Sequence, residues 1–228
     1  MMKTIFALML LMSHSLFAET HIDVKPDPKY SADAHIHADR VDDQYLKFVP
    51  EDITFPEGPQ KKKFELALSL MEEVMNSPEF KKRVIGYERN GERSYQKNFL
   101  WNDSDVRLTN EEIYQVIMNG NEKMRPDTFG EMNFNSWVKV CKTYEMIGVW
   151  CRKVIGSTSP SDSKMIRLNW TFYKKLETHE MVSNMVHEWI HLLGFLHGSN
   201  NLHEEVPYVV GYIAGEVAKE IIERNKLE

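Results

Sequence analysis

Eleven consecutive residues constrain this chain more than anything else in it: His187-Glu188-Trp189-Ile190-His191-Leu192-Leu193-Gly194-Phe195-Leu196-His197. In a chain of this histidine and glycine content, the short pattern HExxH arises by accident with a probability of roughly 3–4%, whereas the full HExxHxxGxxH pattern falls to roughly one in ten thousand. At about 100° per residue, a helix with His187 at 0° carries His191 to about 40°, one turn on and on the same side. Met181, Val182, Met185, Val186, Trp189, Ile190 and Leu193 then spread over about 120° to 300°. The spacing therefore predicts a helix with one face in a core and two imidazoles together on the other.

Two histidines at i, i+4 can share one tetrahedral zinc, and Glu188, at about 100° on the edge of that face, can reach a water held there. A helix continued to residue 197 would carry His197 to about 280°, away from the other two. Glycine ends helices readily in a left-handed conformation, so a turn at Gly194 can return His197 as a third protein ligand. The fourth position then stays open, as a catalytic site requires. The bland alternative is a core-facing helix with histidines on its surface.

The only long apolar run sits at the start of the chain. Lys3 precedes an apolar stretch from Thr4 to Met12, and Ser13 to Ala18 is more polar and ends on a small residue. That run is shorter than the roughly 20 apolar residues a bilayer span needs, so it reads as a signal peptide (1–18) cleaved after Ala18. The mature protein is then expected to be secreted or periplasmic. Net charge is −6, which argues against nucleic acid as a partner, because no basic excess exists to neutralise phosphates. With 42% hydrophobic residues there is material for one real core.

Residues 19–59 carry Pro26, Pro28, Pro50, Pro56 and Pro59 and no sustained period, and read as an extended N-terminal arm. From residue 60 the period becomes helical: Phe64, Ala67, Leu68, Met71, Val74 and Met75 share one face, and Ser77-Pro78 stops the run. Asn90-Gly91, within Val84 to Tyr95, signals a hairpin. Thr109 to Glu112 fits a capping box for a short helix ended by Gly120. Ile166, Leu168, Trp170 and Phe172 alternate with polar residues as a half-buried strand. The two cysteines, Cys141 and Cys151, fall in Trp137 to Lys153, which reads as two strands around a turn near Gly148. A bridge across that hairpin would stabilise by about 2–3 kcal/mol; two separate buried thiols are the alternative. The expected fold class is α+β, in one domain over residues 60–228.

The histidine stretch resembles the zinc-binding motif of the metzincin clan of metallopeptidases. The resemblance implies a zincin-like single domain with an active-site helix packed beside a small mixed sheet. It implies His187, His191 and His197 as ligands of Zn2+ and Glu188 as catalytic base of an exported zinc endopeptidase. The substrate would be a protein or peptide, with a cell-wall peptide included. It also implies an edge strand that binds the substrate backbone, for which Met165 to Tyr173 stands in the matching place. Metzincins carry a methionine turn after the third histidine, and no Met follows Met185 here. Val206-Pro207-Tyr208 and Gly211 occupy that region, which is more similar to small secreted bacterial zincin-like proteins.

Tyr208 is a candidate donor to the tetrahedral oxyanion; the alternative is a core tyrosine opening a last helix whose inner face is Val209, Tyr212, Ile213, Val217 and Ile221. Glu216 is a rival third ligand of the gluzincin kind. His203, Glu204 and Glu205 are candidates to support the ligands, against a solvated loop. His35 and His37, with Asp33 and Asp39, could form an auxiliary metal site. A zincin-fold module that holds zinc without turnover is the competing function, and an intact Glu188 speaks against it. The export reading predicts that N-terminal sequencing of the exported protein starts at Glu19; retention of Met1 would contradict it.

Overall fold

The computed structural model describes residues 20–21, 45–55, 58, 60–88, 108–120, 122, 130–141, 149–158, 166–197 and 205–227. The expected signal peptide (1–18), the Asp33–Asp39 cluster, the Asn90-Gly91 turn, Gly148, His203 and Glu204 lie outside them. Among the described residues, strands β1 (Thr20–His21), β2 (Lys47–Phe55), β3 (Glu131–Lys139), β4 (Gly156–Thr158) and β5 (Ile166–Asn169) form one sheet in the order β1-β2-β3-β5-β4. β2, β3 and β5 run parallel, and the edge strands β1 and β4 are antiparallel to their neighbours. Seven helices complete the described body: α1 (Lys61–Met75), α2 (Pro78–Ile85), α3 (Asn110–Asn119), α4 (Val149–Lys153), α5 (Trp170–Tyr173), α6 (Thr178–Leu192) and α7 (Val206–Asn225). The architecture is α+β with a small mixed sheet. None of these helices is long and apolar enough to cross a membrane.

Four local expectations need correction. Ser77-Pro78 ends α1 but also starts a helix, because the Ser77 hydroxyl accepts from Phe80 N at 3.1 Å and Pro78 occupies the first turn. Val84 and Ile85 therefore close α2 instead of opening a hairpin. Cys141 and Cys151 are bridged, but across a strand end and a short helix, not a hairpin. The strand expected over Met165 to Tyr173 stops at Asn169, whose side chain accepts from Thr171 N at 3.1 Å and turns Trp170–Tyr173 into a helix. That strand is also interior; the edge is β4.

The arm expected over 19–59 contributes β2, a full strand of the sheet. Side chains of α1 hold it in place of a regular apolar period. Glu72 accepts from Tyr45 O–H and from Phe48 N (3.0 Å), and Asn76 pairs with both the N–H and the carbonyl of Leu46 (2.9 and 2.7 Å). The capping box at Thr109 and Glu112 forms as expected, and Gly120 ends α3 in the left-handed region.

Helix α6 is the centre of the molecule. Met181, Val182, Met185, Val186, Trp189 and Ile190 are all fully buried, with α1 packed on one side and α7 on the other. A buried carboxylate pins its far face: Glu122 accepts from Trp189 Nε1 (2.7 Å) and from both the backbone and the amide of Asn133 on β3 (2.9 and 3.2 Å). This ties the rotation of α6 to the sheet. α7 then lies directly on α6, because a Cβ on Gly211 would come within 2.7 Å of the Ser183 carbonyl and 2.9 Å of His187 Cβ. Both obstacles sit at the α6 backbone and cannot swing away. Gly211→Ala should therefore cost about 1–3 kcal/mol by overpacking, measured by denaturant unfolding; an unchanged midpoint would show that the two helices are not in close contact.

Candidate metal centre

The apolar face of α6 turns its opposite side toward a cleft of about 860 Å³. Along that side lie His179, Glu180, Ser183, Asn184, His187, Glu188 and His191, the i, i+4 progression that one helix face imposes. One wall of the cleft is the stretch from Lys153 to Thr158, including β4, and the other is α7 at Tyr208, Gly211, Tyr212, Gly215 and Glu216.

Gly194 follows the last turn of α6 with φ of +106°, and Phe195 returns into the core with almost no exposure. The turn brings His197 beside the helix pair. The ring centroids of His187, His191 and His197 lie 4.5 to 5.2 Å apart, and one nitrogen of each falls within 4.8 Å of the others. These three side chains are close enough to bind one metal ion.

The hydrogen bonds around the rings fit a cation between them. His191 Nδ1 faces the Phe195 carbonyl at 2.6 Å and His197 Nδ1 faces the Glu205 carboxylate at 2.8 Å. A carbonyl and a carboxylate only accept, so each Nδ1 carries the proton and, in the neutral ring, each Nε2 carries a lone pair. Those two Nε2 atoms face each other at 3.1 Å. With both rings neutral, two acceptors so placed repel unless a proton or a metal cation lies between them, and two nitrogens on a tetrahedral zinc stand about 3.3 Å apart. The His187 ring also hydrogen-bonds the Pro207 backbone. Burial, first of all, pushes the His187 imidazole well below its usual range, and takes His191 down to about 4. Both are uncharged at neutral pH, with lone pairs available to a metal.

Glu188 is buried, and Thr158 Oγ1 on β4 lies 3.0 Å from its Oε2 and 2.9 Å from its carbonyl. Burial raises its carboxyl to about 7, against the opposing effect of the Thr158 hydrogen bond. A Cβ on Gly156 would meet Glu188 Oε1 at 2.7 Å and Asn184 Oδ1 at 2.6 Å, so the edge strand presses flat on the carboxylate. Asn184 is held from below by the O–H of the fully buried Tyr173, at 2.7 Å.

Tyr208 belongs to the centre and not to the core. It is 37% exposed, and its ring centroid is 4.5 Å from that of His187 and 4.8 Å from that of His197. Partial burial, then the charges of Glu205 and Glu188, raise its phenol above the usual value. Tyr212 is likewise not an inner-face residue of α7: it is 65% exposed on the cleft wall. Glu216 lines the cleft but is not part of the histidine cluster. Glu205 is the main correction: it is fully buried on His197 and not part of a solvated loop.

Thr158 and Gly156 went unnoticed in the sequence, where neither belongs to a motif. No protein-family model, curated protein or solved structure matches the chain. The geometry predicts one divalent ion at this cluster. At a free metal concentration 100 times the Kd, binding should stabilise the protein by about 2.7 kcal/mol, seen as a raised Tm. His191→Ala should lose most of the bound metal and that increment; full metal content in the variant would refute the ligand assignment.

Proposed function

We propose that the chain is an exported zinc-dependent endopeptidase with a zincin-like fold. The observation that carries this reading is the pair of imidazole nitrogens converging at 3.1 Å in an open cleft, with the Glu188 carboxylate between them and the edge strand β4. A site that only stores a metal has no use for a cleft or for an adjacent buried carboxylate. His187, His191 and His197 would hold the zinc. When bound there, zinc supplies Lewis-acid polarisation of a scissile carbonyl and a water that ionises near neutral pH.

The remaining steps belong to the chain. Among the described strands β4 is the sheet edge beside β5, and it borders the cleft, where an extended peptide could add as a further antiparallel strand. This assigns to Gly156–Thr158 the role that the resemblance gave to Met165–Tyr173. Glu188 takes a proton from the attacking water and passes it to the leaving nitrogen. Thr158 joins these two functions, since it lies on the substrate-binding edge and touches the base. Tyr208, on the far side of His187, supplies an O–H to the oxyanion; its exposure and its ring contacts support that role over a place in the core. The substrate is protein or peptide, with cell-wall peptide as one form of it.

Two variants test the mechanism. Glu188→Gln keeps shape and metal but removes the base, and should lower kcat by about 100- to 10,000-fold on a generic peptide library. Near-normal turnover would move the proton transfer elsewhere. Tyr208→Phe should lower kcat by about 100-fold with little change in metal content or Tm. Unchanged kcat with lost stability would return Tyr208 to a structural role. Chelation should abolish turnover of the parent protein; peptide or cell-wall fragments left intact by the metal-loaded parent would contradict the hydrolase reading.

A further inference from the structure

An ionised carboxylate withdrawn from solvent is costly unless good donors satisfy it. Glu205 has no exposed surface, while the His197 side chain it bonds is 44% exposed. The carboxylate thus reaches from the interior to the one ligand that no helix holds. His187 and His191 are fixed by α6, whereas His197 follows the turn at Gly194 and belongs to no regular element. Its ring would be free to rotate about two side-chain bonds without an outside partner.

The neighbours of Glu205 act on the same cluster. The Pro207 carbonyl takes a hydrogen bond from the His187 ring, and Tyr208 lies against both His187 and His197. Three residues at the start of α7, Glu205, Pro207 and Tyr208, therefore touch two of the three ligands, and the Phe195 carbonyl serves the third. Gly211 fixes where that helix start lies on α6.

We propose that Glu205 is the positioning residue for the third metal ligand, holding the His197 ring with Nε2 toward His191, so that the first turn of α7 forms the support of the metal centre. The inference rests on the metal-centre reading above. Carboxylates behind metal-binding histidines fix the tautomer and raise the basicity of the ligating nitrogen. Glu205 reaches the metal centre by its hydrogen bond to His197, and an effect on metal affinity carried by that bond separates it from a residue that merely stabilises the fold.

A double-mutant cycle on the full-length chain tests this, with zinc affinity read by competition against a chromogenic chelator. Glu205→Leu, close in volume and without an acceptor, should weaken zinc binding by about 10- to 100-fold. His197→Ala should weaken it as well, and adding Glu205→Leu to that variant should cause no further loss beyond about twofold. Equal losses in both backgrounds, or wild-type affinity in Glu205→Leu, would overturn the proposal. Absence of zinc binding by the parent chain would overturn the metal-centre reading and the proposal with it. If Glu205→Leu does not fold, Glu205→Gln gives the same cycle, with a smaller loss expected because the amide oxygen still accepts.

Discussion

Two nitrogen lone pairs facing each other at 3.1 Å define what the rest of this molecule must do. With both rings neutral and neither a proton nor a cation between them, the arrangement is unfavourable, and rotation of either ring would relieve it. The Phe195 carbonyl and the Glu205 carboxylate prevent that rotation. Holding like dipoles together in the absence of a ligand is the preorganisation that a tight cation site requires, since the cost is met in folding and not at binding. The same logic explains the low proton affinity of His187 and His191: burial excludes a second proton and leaves the rings ready for a metal.

Helix α6 transmits this constraint to the whole fold. Its buried side is packed between α1 and α7 and tied to β3 through Trp189 and Glu122, so its rotation, and hence the direction of His187 and His191, is set by the core. Its open side meets β4 so closely that a Cβ at position 156 would displace the Glu188 and Asn184 side chains, and meets α7 so closely that a Cβ at 211 would run into the α6 backbone. These two contacts bring the sheet edge at β4 to Glu188 on one side and the Glu205–Tyr208 segment to the histidines on the other. The disulfide between Cys141 and Cys151 joins the segment after β3 to the short helix leading into β4, and so braces the approach to that edge.

The histidine cluster was legible because its information is local. HExxH states its own helix, and Gly194 states the turn that returns His197. The capping box at Thr109 and the periodic face of α1 were legible for the same reason. What escaped depends on residues far apart in sequence. Glu205 looks like one acid in a polar loop until α7 docks on α6, and Thr158 acquires meaning only when its strand lies at the edge of the sheet. β2 carries no clean alternation, and its start is fixed by backbone N–H groups donating to Glu72 and Asn76. Ser77-Pro78 carries two messages at once, the end of one helix and the cap of the next, and only the first was read. Tyr208 remained open from sequence, since a tyrosine next to a helical apolar face fits a core as well as a cleft.

The central claim is that three imidazoles, and no carboxylate, hold one metal ion beside Glu188. Anomalous diffraction at the zinc absorption edge from crystals of the zinc-loaded protein tests it most directly. The account predicts a single peak at about 2.0–2.1 Å from one ring nitrogen each of His187, His191 and His197, with the Glu188 carboxylate close by but not bonded. A peak bonded to Glu188 or Glu205, one missing His197, or one located away from the cluster would contradict it.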